Sequence, residues 1–168
     1  MIYLIIGVII AYFVYQGMKG NADMENVNKY GGLKIKYSTL IDRIMSRNSY
    51  YQMIEVNSND IRLTCTGMVF RLTEIDKKIQ IVWNWESFST GKIHKLIWNF
   101  DEWQDQDMMY EIIDKDIKVQ CYIDDGMTKQ QAEDFYKIRY ANNEEEQERL
   151  IKDFSNKYPS LWAKITGQ

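Results

Sequence analysis

The sequence predicts an α+β fold: a single N-terminal transmembrane helix, then a five-stranded antiparallel meander covered on one face by flanking helices, then C-terminal helices. Three observations predict it. Residues 2–18 carry no charge and are almost wholly apolar. Residues from about 50 to 100 alternate apolar and polar in successive short runs, and from about 101 to 165 apolar residues recur every three or four positions. The expected division is a transmembrane anchor over 1–18, a flexible linker over 19–32 and a soluble α+β domain over 33–168, with the meander at about 50–100 and the helical part at about 101–165.

The uncharged run contains Ile2, Leu4, Ile5, Ile6, Val8, Ile9, Ile10, Phe13 and Val14, and as a helix it spans roughly 26 Å, the short end of what a bilayer needs. Tyr3 stands at one end and Tyr12 and Tyr15 at the other, where amphipathic rings favour the interface. A cleaved signal peptide wants Lys or Arg before the run; none precedes Ile2, although Gly20-Asn21-Ala22 offers a small-x-small site. An uncleaved anchor fits better. Lys19, Lys29, Lys34 and Lys36 follow the run, so the positive-inside tendency puts the C-terminal domain in the cytoplasm, the alternative being a periplasmic or extracellular domain. Cys65 and Cys121 are too few for a disulfide framework and read as two thiols in a reducing compartment, with a Cys65–Cys121 bridge as the oxidising alternative.

Residues 17–32 hold four of the nine glycines and several Asn with little periodicity, hence the linker. Ser38 or Thr39 is expected to cap a helix with a Leu40, Ile41, Ile44 and Met45 stripe. Five strands follow. Ile54 and Val56 mark the first, Ile61, Leu63 and Cys65 the second, and Met68, Phe70 and Leu72 the third. Ile79, Ile81, Trp83 and Trp85 mark the fourth, and Leu96, Trp98 and Phe100 the fifth. A four-residue turn at Asn57–Asp60 sets Val56 opposite Ile61 and Ile54 opposite Leu63; a Thr66-Gly67 turn sets Leu63 opposite Phe70. A turn near Ile75-Asp76 sets Leu72 opposite Ile79, and a loop through Ser89-Thr90 sets Trp83 opposite Leu96. All apolar sets then share one face, and any one-residue slip turns a strand over.

After Phe100, Asp101 is expected to cap a helix carrying Trp103, Met109, Ile113 and Ile117. Residues 117–123 also alternate well enough for a strand, but the four-residue recurrence favours helix. Thr128 with Gln131 reads as a capping box, Asn143 as the cap of another helix, and Pro159 as its stop, with a short last turn over Ser160–Ile165.

Charge divides along the chain. Residues 1–100 carry 12 basic and eight acidic side chains, a net of +4, and residues 101–168 carry nine and 16, a net of -7; together these give the chain's -3. That balance argues against nucleic-acid binding. With His94 as the one histidine, multi-His metal sites are excluded, and its expected place is packed on Trp85. No P-loop, GxGxxG, HExxH, GxSxG or CxxC occurs, so no cofactor, metal or catalytic residue is expected and the sequence leans away from an enzyme.

The expected function is a membrane-anchored protein-binding module, an adaptor or accessory subunit of a membrane-associated complex, held in lipid through residues 2–18 and meeting a protein partner, for which a basic surface is the expected match. Its expected contacts are Trp85, Trp103, Tyr136, Glu144, Glu145 and Glu148. The alternatives are an immunity-type inhibitor of a toxin and a motif-less membrane-anchored enzyme.

Overall fold

The computed structural model describes residues 2–87 and 91–167, with positions 2–4, 16, 17, 19 and 22 described in backbone only. The chain forms two compact units, Met1–Tyr110 and Glu111–Gln168. In the first, α1 (Ile2–Lys29), α2 (Leu33–Lys36) and α3 (Ser38–Ser46) precede β1 (Gln52–Asn57), β2 (Asp60–Cys65), β3 (Met68–Ile75), β4 (Lys78–Glu86) and β5 (Ile93–Asp101). The sheet is a five-stranded antiparallel meander in the order β1-β2-β3-β4-β5, as expected.

One face is the core. Ile61, Leu63, Phe70, Leu72, Ile79 and Ile81 are buried along with Leu33, Tyr37, Leu40, Ile41 and Ile44 of α2 and α3. Phe70, Trp83, Trp85 and His94 stack in succession across it, with ring centroids 5.8, 3.9 and 4.8 Å apart. Leu63 pairs with Phe70, Trp83 with Leu96 and Trp85 with His94, all in the expected register. The loop expected at Ser89-Thr90 lies outside the described residues.

Two strand registers differ from expectation, with unequal consequences. The β3–β4 turn is the tight pair Asp76-Lys77, both at positive φ, so Leu72 faces Ile81 rather than Ile79. A two-residue shift keeps every side chain on its face. In β1 the shift is one residue: Met53 faces Leu63 and Glu55 faces Ile61, with an irregularity between Glu55 and Asn57. Ile54 and Val56 therefore point to the open face, 50% and 47% exposed. The turn decides this. Asn57 Oδ1 accepts from the Asn59 N–H and Ser58 O accepts from the Leu33 N–H, which fixes a tighter connection than the four residues expected.

Residues 19–29, expected as linker, continue α1 without a break. The helix ends at Gly31 and Gly32, both at positive φ, where the Gly32 N–H returns to Val27 O. Among the described residues no helix is long and apolar enough to cross a membrane. The transmembrane expectation for 1–18 therefore gains no support here: its first side chains lie outside the described set, and the exposed apolar stretch Ile5–Tyr15 alone makes roughly 16 Å of helix.

Neither Ser38 nor Thr39 caps α3. Its Leu40 N–H is instead taken by Gln106 Oε1, 3.0 Å away, while Gln106 Nε2 donates to Lys36 O. Asp101 ends β5 rather than capping a helix, and Asp105 takes that role for α4 (Gln106–Asp124), accepting from the Met108 N–H at 2.9 Å. Residues 117–123 are helical.

The second unit holds the rest of α4 with α5 (Lys129–Arg139), α6 (Glu144–Lys157) and α7 (Pro159–Thr166). The Thr128/Gln131 capping box forms, and Asn143 caps α6 by accepting from the Glu146 N–H. α6 ends at Lys157, just before Pro159, as expected, and Pro159 is itself the first residue of α7, where a short last turn was expected. Phe154 gathers Phe135, Tyr158 and Trp162 around it, with centroids 5.8, 4.9 and 6.1 Å away.

Candidate functional site

The most unusual chemistry of the first unit lies where the end of α1 meets the sheet. β3 carries Met68, Phe70 and Leu72 toward the core, and the next position in that phase is Glu74. Likewise α2 presents Leu33 inward, and one turn later Lys36. Their side chains are 1% and 6% exposed, and Glu102, just past β5, joins them at 3%. Lys36 Nζ lies 2.8 Å from each carboxylate. Asn26 of α1 donates through Nδ2 to both, at 3.1 Å to Glu74 and 3.0 Å to Glu102, and the Tyr37 hydroxyl donates to Glu74 Oε2 at 3.1 Å.

One cation and two neutral donors thus satisfy two buried carboxylates. Burial opposes the charge on Lys36, but hydrogen bonds to Glu102 and Glu74 outweigh it and hold its pKa above the ordinary lysine range. Burial also opposes the charge on Glu102. There the Lys36 and Asn26 hydrogen bonds prevail, keeping the carboxyl below its ordinary range. Burial, helped by the Glu74 charge, pushes the Tyr37 hydroxyl well above the tyrosine range, so it stays a neutral donor. The cluster fastens α1 to the sheet, together with buried Val27 and Asp23, whose Oδ1 accepts from the Asp76 N–H at 3.2 Å. Without Lys36 two carboxylates would share a nearly sealed site, so the cation is the centre of this clamp.

Above the clamp lie two open grooves that share Glu102, Trp103 and Gln104. One of them, of about 520 Å³, runs from Tyr30 and Ile35 to Asp105 and Asp107. Trp103 stands between the grooves, 74% exposed, with its ring edge-on to Tyr30 at 6.3 Å. Its backbone is held on both sides. The Glu102 N–H donates to Lys77 O, and the Gln104 N–H donates to Asp101 O. Tyr30 is itself positioned by Lys36, whose Nζ lies 5.0 Å from the ring centre.

The chain matches no family model, no curated protein and no solved structure. Its site rests on its own geometry.

The structure separates the sequence-predicted contacts. Of the three aromatic ones, Trp103 is the exposed one. Trp85, 8% exposed, is committed to the core stack between Trp83 and His94. Tyr136 is half-buried in the second unit and stacks on Tyr140 at 4.5 Å, while Glu144, Glu145 and Glu148 are exposed on α6. Sequence reasoning passed over Asn26, Lys36, Glu74 and Glu102. Two of these leave a readable signal, a charged residue on an apolar phase: Glu74 in its strand and Lys36 in its helix.

Proposed function

We propose that the protein is a membrane-tethered protein-binding module, an adaptor or accessory subunit, whose first unit presents the Trp103 groove at a fixed height above the bilayer. The observation that carries this is the division of α1. From Ile5 to Tyr15 every described side chain is exposed, and no polar face interrupts the apolar surface. A helix apolar all round calls for lipid or protein on every side, unlike an interfacial helix with its charged face. Residues 2–18 together have the length and the lack of charge for a short span. From 19 to 29 the same helix, roughly 16 Å more, leads into the clamp. The cytoplasmic side follows from the basic flank at Lys19, Lys29 and Lys34.

Flotation with lipid vesicles, followed by an alkaline wash, tests the tether. The full chain is expected to float and to resist the wash, and Ile9→Lys with Phe13→Lys is expected to release it. A full chain that stays at the bottom of the gradient contradicts the tether. An active reporter fused after Gln168 only outside the cytoplasm would contradict the side.

A further inference from the structure

We infer that the Tyr30–Trp103 groove is a subsite for the guanidinium group of an arginine side chain on a protein partner. The inference rests on the binding role proposed above and supplies its chemistry. A tryptophan left three-quarters exposed on a rigid turn is unusual for a side chain whose burial is so favourable. The turn is held by backbone hydrogen bonds and by the buried Glu102, so the backbone that carries the ring is fixed before any partner arrives.

Its surroundings choose the sign of the ligand. The charged residues lining the Tyr30–Trp103 groove are Asp105, Asp107, Lys36 and the Lys36-paired Glu102, so the acidic ones outnumber the basic one. Lys36 is already neutralised by Glu74 and Glu102. Asp107 is engaged by Arg43 at 2.9 Å, an ion pair that shows the rim already holding one guanidinium. Asp105 accepts one backbone hydrogen bond at Oδ1, which leaves lone pairs for a second donor. A planar cation that stacks on an indole while donating to a carboxylate is the guanidinium group, and arginine is correspondingly enriched where tryptophan anchors an interface.

The test uses the full chain in a maltoside detergent, free of choline headgroups, and follows the Trp103 indole N–H by NMR. Trp103→Ala assigns the signal and is tolerated by the fold, because the ring is exposed. Acetyl-Gly-Arg-Gly-amide is expected to shift that signal saturably, and the Gln analogue to bind at least about tenfold more weakly. Asp105→Asn keeps the helix cap while removing charge, and should weaken the arginine peptide several-fold. Equal responses to the Arg and Gln peptides, or none, overturn the inference. So does an equal shift with phosphocholine, which would assign the groove to lipid headgroups. A silent groove with flotation intact defeats this inference alone; lost flotation with the arginine response intact defeats the tether alone.

Discussion

Each unit is organised around an ionic hub, and the two hubs invert each other. In the first unit one cation, Lys36, lies between two carboxylates, Glu74 and Glu102, all nearly sealed from solvent. In the second, one carboxylate, Asp134, lies between two cations, Lys137 at 3.3 Å and Lys157 at 2.9 Å, with both lysines more than half exposed. Tyr158 also donates to Asp134, as Tyr37 does to Glu74. The kinds of group are the same, and burial is the difference that governs the energetics. Removing a partner from a sealed site strands charge in a poorly solvated place, whereas water replaces a lost partner at the surface. The first hub joins three segments far apart in sequence; the second staples neighbouring helices.

The largest expected effect follows directly. Lys36→Met should destabilise the first unit by about 3–5 kcal/mol, read from hydrogen exchange of β3 and β4 amides, because it leaves two carboxylates without their cation. A loss below about 1 kcal/mol would show that water reaches the cluster.

Next comes pH. The Glu102 carboxyl is held below its ordinary 4.5, so its contribution is fully present above about pH 4.5 and fades as pH falls through the lower folded value. Lys36 is held above 10.5, so its contribution is present below that pH and fades as pH rises through the higher folded value. Between these limits the stability of the first unit should be nearly flat. Glu102→Gln should remove the acid limb attributable to this group, and an unchanged acid limb in a urea titration would contradict the assignment.

A smaller effect is expected at the exposed hub. Asp134→Asn should cost the second unit about 1 kcal/mol or less, and 1 M salt should shrink that difference, since exposed pairs are screened. The Lys36→Met loss should survive the same salt. Smallest of all, Lys157→Met should leave the exchange rates of α5 and α6 close to unchanged, although Asp134 raises the lysine pKa to about 12. A large, salt-independent loss at Asp134 would erase the distinction between the hubs.

What was legible in the sequence follows the same division between local and non-local causes. The meander, the Thr128/Gln131 box and the Asn143 cap rest on residues close in sequence, and all three formed. Register was legible outright for β2–β3 and β4–β5, to within two residues for β3–β4, and not for β1–β2. The β3–β4 slip of two residues kept Leu72 and Phe70 inside, whereas the single-residue slip in β1 put Ile54 and Val56 outside. That slip came from Ser58 accepting a hydrogen bond from Leu33, a partner 25 positions away that no turn propensity reveals. Gly17, Gly20 and the Asn-rich stretch argue for a linker on local grounds. Asn26 is nevertheless held by Glu74 and Glu102, 48 and 76 positions on, and tertiary contact overrides propensity there. Glu102 was the least legible, because Asp101 beside it is polar too and nothing local says which of the two turns inward.

The clamp and the continuous helix stand or fall together, and amide hydrogen exchange over residues 20–29 tests them most directly, with the full chain in lipid. The account predicts slow exchange across these ten positions, comparable with β3, and a clear acceleration in Lys36→Met. Fast exchange over the same positions in the unmodified chain, as a flexible linker would give, would contradict it.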